Sequence, residues 1–251
     1  FQAILLPGTE METSTTRDTF QLQTRFRTIP GSIGIYKFGD TSIPVAEIEE
    51  IIVGGKDMSF DDYISCRVMN LLVETFFNNA MFTELFLVMR ASGVDTFDIL
   101  VYLHEHTELY TPETKDIIDR FVLMTKGDLY DSRKAAEDFL NETDIVQKHL
   151  DNELGINELL VCKTDLYLIF DDINNLIFNA AKNILSVNNK LSLMSEKFLD
   201  QLCRFIRCRK KEFYKYEDEI EMTFDFDFKE IDINGYNVDL DNICDFKCQK
   251  K

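Results

Sequence analysis

The chain changes its hydrophobic rhythm twice. Near the start, Ile4-Leu5-Leu6 is a short apolar run stopped by Pro7-Gly8, a strand ending in a turn. Gly34-Ile35-Tyr36-Lys37-Phe38 predicts a strand, Gly39-Asp40 a turn, and Ile43 to Val53 a second strand, together a hairpin. From residue 57 the period becomes helical. Ser59 with Asp62 three residues on is an N-terminal cap signal, and Ile64, Val68, Leu71, Leu72 and Phe76 follow at helical spacing. Met81, Phe82, Leu85, Phe86 and Met89 predict a second helix stopped near Gly93. Thr111-Pro112-Glu113 opens another, since proline suits the first helical turn. Ile169 to Ile184 marks a long helix, and a last one is expected from about Lys190 to Lys215. Seven or eight helices are expected in all. Met222-Thr223-Phe224-Asp225-Phe226-Asp227-Phe228 alternates strictly, and Asn234-Gly235 leads into Tyr236 to Leu240, which predicts a terminal hairpin. The class is α+β. No neighbouring segment offers the first strand a partner, so the rest of its sheet is expected upstream of Phe1.

Composition narrows the functional classes. The 251 residues are 45% hydrophobic and 29% charged, a globular balance. The 45 acidic side chains against 27 basic ones give a formal charge of -18, a field that disfavours nucleic acid and anionic membrane surfaces. No apolar run is long enough to span a bilayer. The six cysteines are scattered, as in a reducing compartment, so a cytoplasmic location is expected.

The obvious chemical candidates are weak. His104 and His106 point in different directions on a helix and do not share an ion. Cys203 and Cys208 are spaced more widely than usual for zinc, although Cys244 and Cys248 fall within range. Asp61-Asp62 and Asp171-Asp172 read as solvated faces, with no third group at fixed spacing. The dense basic run Arg204, Arg207, Arg209, Lys210, Lys211 and Lys215 could take a phosphate, RNA or an acidic surface. Pairing with the chain's own acids is the plainer reading.

One ordered set of blocks is more specific. Ile4-Leu5-Leu6-Pro7-Gly8-Thr9-Glu10-Met11 is followed by Thr24-Arg25-Phe26-Arg27-Thr28-Ile29-Pro30. Then come Ala46-Glu47-Ile48-Glu49-Glu50-Ile51-Ile52-Val53, Met58-Ser59-Phe60-Asp61-Asp62-Tyr63 and Cys66-Arg67-Val68-Met69-Asn70-Leu71. Together they resemble the region after the last barrel strands of radical SAM enzymes, in particular those with an N-terminal cobalamin-binding domain. The resemblance is best over residues 1–90.

It implies an edge strand of a partial (β/α) barrel in residues 1–30, a β-hairpin connector in 31–56, a helical C-terminal domain in 57–216 and a terminal β-hairpin and tail in 217–251. It also implies reductive cleavage of S-adenosylmethionine by a four-iron, four-sulfur cluster held by a C-x3-C-x2-C loop. Neither that loop nor the D-x-H-x-x-G cobalamin motif occurs here. Both are expected upstream, so the implied partner is the missing N-terminal part of the same polypeptide. The residues here are not expected to hold the cluster, cobalamin or any metal, nor to include a catalytic residue. By this resemblance Pro7, Gly8 and Thr9 sit at a strand end on the barrel's active-site mouth, where exposed backbone could approach S-adenosylmethionine; a plain turn is the other reading. The helical domain would cover that mouth and shape the pocket of an unknown substrate. Two alternatives stay open: a non-enzymatic helical interaction module, and an RNA-modifying enzyme of the same superfamily.

Overall fold

The computed structural model describes residues 2–142, 144–151, 153–211 and 221–248. The fold is mixed α+β and mainly helical, with small antiparallel sheets and, among the described residues, no closed barrel. The chain divides into two compact units, one of residues 1–70 with 118–162 and one of residues 71–117 with 163–251.

The first unit opens with strand β1 (Ala3–Ile4) and helix α1 (Ser14–Phe20), then β2 (Gln23–Thr28), β3 (Gly34–Phe38), β4 (Thr41–Val45) and β5 (Ile48–Gly54). The expectation of an unpartnered first strand is corrected. Ala3 lies opposite Ile52 and Ile4 opposite Ile51, in a three-stranded sheet of order β1-β5-β2. The reason lies in β5. Its Ile51-Ile52-Val53 run is buried, and a buried strand needs its backbone groups paired on both edges. Both β5 pairings are antiparallel, with β2 on the far side.

The expected second strand, Ile43 to Val53, is two strands. β3 and β4 make the hairpin, with Tyr36 opposite Ile43, while β5 joins the other sheet. Helix α2 (Phe60–Leu72) starts as expected. The Ser59 hydroxyl accepts from the Asp62 N–H at 3.1 Å, and the Asp62 carboxylate accepts from the Ser59 N–H at 2.8 Å. Tyr63 and Ile64 then bury against Ile51 and Val53 to form the core of this unit.

Among the described residues of 57–216 there are nine α-helices rather than seven or eight. After α2, a π-helical turn (Val73–Asn78) leads to α3 (Thr83–Ala91) and α4 (Thr96–Glu105). Gly93, at φ +75°, ends the turn after α3, with the Val94 N–H returning to the Met89 carbonyl. Helix α5 (Pro112–Gly127) begins at the Thr111 cap, whose hydroxyl accepts from the Thr114 N–H. Then come α6 (Arg133–Leu140), α7 (Ile145–Leu150), α8 (Glu158–Leu168), α9 (Phe170–Val187) and α10 (Leu193–Lys210). Lys215, the expected end of the last helix, lies outside the described residues.

The expected terminal hairpin is also corrected. Phe226 makes one isolated bridge to Lys247, residues 222–225 form no strand, and only Phe228 of the alternating segment enters helix α11 (Phe228–Ile233). The Asp227 side chain accepts from the Lys229 and Glu230 N–H groups and caps α11. Gly235, at φ +62°, follows the end of that helix instead of turning a hairpin. Phe226 stands 5.2 Å from Phe198, and Phe228 lies 4.7 Å from Phe205, so these rings fill the core of the second unit.

Candidate functional site

Pro7, Gly8 and Thr9 form an exposed turn at the end of β1. The Thr9 hydroxyl donates to the Leu6 carbonyl at 2.7 Å and the Thr9 N–H reaches the same oxygen at 3.2 Å. Gly8 has φ +81°, a left-handed conformation that glycine adopts without steric cost. A Cβ there would meet nothing within 4 Å, so backbone angle and not close approach requires the glycine. The Gly8 N–H donates to the Glu12 carboxylate at 2.6 Å. That donor is engaged, and a ligand would have to displace Glu12 to use it.

The same turn borders a cavity of about 460 Å³, lined by Ile4, Leu6, Pro7, Phe26, Ile29 and Ile48 among others. β1 is an edge strand, and Ile4 and Leu6 are exposed beside it. Charged groups brace the rim. Arg17 grips Glu50 with two hydrogen bonds, 2.7 and 2.9 Å, and these hold the Glu50 carboxyl below its ordinary range against the opposing effect of burial. Arg27 Nε donates to Glu49 at 2.6 Å, with both side chains largely buried.

The other sequence candidates have local roles. His104 lies in the last turn of α4, and His106 caps it, stacked 4.0 Å from Tyr102 with Nδ1 2.7 Å from Glu108. All six cysteines are free, and among the described residues no three His, Cys, Asp or Glu side chains converge on one point. Cys203 receives a hydrogen bond from Asn174 Nδ2 at 3.1 Å, and burial pushes its thiol up to about 11.

The described part of the basic run is largely taken up within the second unit. Arg207 and Lys211 both bind Asp171; burial would raise that carboxyl, but their hydrogen bonds outweigh it and hold it below its ordinary value. Lys210 Nζ donates to Glu84 at 2.6 Å and to the Met81 carbonyl at 2.7 Å, and Arg204 lies over the Phe224 ring. Asp62 is used as a cap.

Sequence reading missed a buried charge network and a second cavity in the first unit. Arg67 pairs with Glu158 at 2.6 Å, both buried, and stands 5.5 Å from the Phe121 ring. The second cavity, about 200 Å³, includes Arg27, Asp128, Tyr130 and His149 in its wall. Arg27 joins it from a strand about a hundred residues before Asp128, and the other members come from successive helices and turns with no motif spacing. No family model matches the chain, and no curated protein matches it.

Proposed function

We propose that this chain acts as the C-terminal portion of a cytoplasmic, cobalamin-binding-domain radical SAM protein. Its helical part would cover the barrel mouth and shape the substrate pocket. The reading rests on the ordered sequence blocks and is supported by one geometric observation. The Pro7-Gly8-Thr9 turn ends an edge strand whose exposed Ile4 and Leu6 border an apolar-lined cavity. A strand edge with free backbone groups is suited to receive a further strand, as a barrel supplied by an upstream segment would require. The chain's own residues would then contribute the Gly8 turn and the Arg17–Glu50 brace beneath it. The cluster, the cobalamin and the reactive centre would belong to the upstream part.

The reading as an interaction module or RNA binder through residues 204–215 is less well supported. Arg207, Lys210 and Lys211 are already engaged by Asp171 and Glu84. Sequencing the intact natural polypeptide tests the proposal. A C-x3-C-x2-C motif ahead of residue 1 is expected, and an intact polypeptide without one would overturn it.

A further inference from the structure

The second cavity has a chemistry that the proposed function does not use, and the inference from it stands apart from that reading. The wall combines β2 (Arg27), the C-terminal end of α5 with Asp128, Tyr130, α6 (Phe139), α7 (His149) and the turn at Gly155. Backbone bonds fix it in place: Phe26 and Tyr130 exchange N–H donors at 2.9 and 2.7 Å. The Tyr130 and Phe139 rings pack with centroids 5.5 Å apart.

Three side chains of this wall carry polar groups without hydrogen-bond partners. Among the described residues, the Asp128 carboxylate receives no hydrogen bond or ion pair, and the Tyr130 hydroxyl has no partner. His149 Nε2 is buried without one. Its ring lies so close to Gly155 that a Cβ there would stand 2.4 Å from Nδ1. The Leu154 backbone acts on the ring to raise its pKa, against the larger effect of burial. Burial lowers the pKa of this imidazole, which favours the neutral form.

The charge around the cavity is unbalanced. Arg27 and Arg67 are each engaged by a glutamate, Glu49 and Glu158. Asp128 is left over, and Asp128 and Glu142 both act on the Tyr130 hydroxyl, raising its pKa beyond what burial does. The Asp128 carboxyl itself is pushed up to about 6, first by desolvation and then by Glu158, with Arg27 opposing. Asp128 as a residue is solvent-exposed. A carboxyl on a concave wall reconciles the two, being reachable by solvent yet surrounded by protein, and its exposure limits the size of the shift. An unpaired carboxylate held at some cost to stability is what a binding site for a cation retains.

We propose that the cavity walled by Asp128, Tyr130, Phe139 and His149 binds a small organic ammonium ion. Its cationic head meets the Asp128 carboxylate, and its carbon body lies against the two aromatic rings. The cation in the wall, Arg27, already has the Glu49 carboxylate as its counter-charge. A divalent metal finds too few ligands, since no group of three converges among the described residues. The volume, about 200 Å³, has room for roughly six waters at about 30 Å³ each, or one small amine.

The chain has only three histidines, so imidazole NMR resolves the question site by site. The 251-residue chain is titrated with n-butylammonium chloride, sodium butyrate or n-butanol at constant ionic strength. Butylammonium is expected to move the His149 resonances saturably, with a Kd on the order of 1 mM, and to leave His104 and His106 in place. Butyrate and butanol are expected to leave all three unmoved. Asp128→Asn is expected to weaken the effect at least about tenfold while circular dichroism stays unchanged. His149 shifts of equal size with butanol or butyrate, or none with the amine up to about 50 mM, would overturn the proposal. So would an Asp128→Asn chain that binds as the parent does. The comparison of the three compounds in the unmodified chain decides the matter even if the variant does not fold.

Discussion

The two units keep their interiors in different ways. The second is closed by aromatic rings. Phe76 and Phe82 stack toward Phe170, and Phe198, Phe226 and Phe228 form a second cluster. The first carries two ion pairs inward, Arg27 with Glu49 and Arg67 with Glu158, where the second buries the Glu84 carboxylate beside Lys210. Apolar burial explains an interior of rings without further argument. Buried ion pairs add little net stability over apolar residues of the same shape, although removing one partner alone is costly.

Four variants sharpen that contrast. Phe198→Ala, at a fully buried ring, is expected to destabilise the second unit by about 4 kcal/mol, read by denaturant unfolding. Glu158→Gln leaves Arg67 buried beside Phe121 without its counter-charge and is expected to cost about 3 kcal/mol. Replacing both partners, as Arg67→Met with Glu158→Leu, is expected to recover most of that loss. A double variant as unstable as the single one would break the comparison, because the pair would then be worth its full burial. Ser59→Ala removes the cap of α2 and is expected to cost about 1 kcal/mol.

Asp128→Asn is the smallest effect and has the opposite sign. The folded carboxyl titrates near 6, above its ordinary value of 3.8. The folded state therefore holds its proton to higher pH than the unfolded chain does. Stability contributed by this group is full below pH 4 and falls as pH rises through about 6. The asparagine variant is expected to be more stable than the parent at pH 7, by about 1 kcal/mol or less after allowing for the residue's exposure, and equal to it at pH 4. Thermal unfolding at the two pH values reads the difference.

Local signals were legible in the sequence. The caps at Ser59 and Thr111, the stop at Gly93 and the strand at Gly34–Phe38 all depend on neighbours within a few residues, and all are present. What failed depended on distant partners. The pairing of β1 with β5 joins residues nearly fifty apart, and no feature of Ala3–Ile4 announces it. The Phe-Asp-Phe-Asp-Phe segment read as a strand because its period is two. It also carries Asp227 three residues before Glu230, a helix cap signal, and the rings of Phe198 and Phe205 gave Phe226 and Phe228 a core to enter. The Pro7-Gly8-Thr9 turn was legible from residue types, but the engagement of the Gly8 N–H by Glu12 was not. The cavity at Asp128 and His149 was invisible because its walls are assembled by tertiary packing.

The most direct test of the proposed function uses the intact natural polypeptide, purified without oxygen and supplied with iron, sulfide, a one-electron reductant and S-adenosylmethionine. The account predicts formation of 5′-deoxyadenosine and methionine, and loss of both when the cysteines of the upstream loop are replaced. A fully assembled polypeptide that leaves S-adenosylmethionine intact would contradict it.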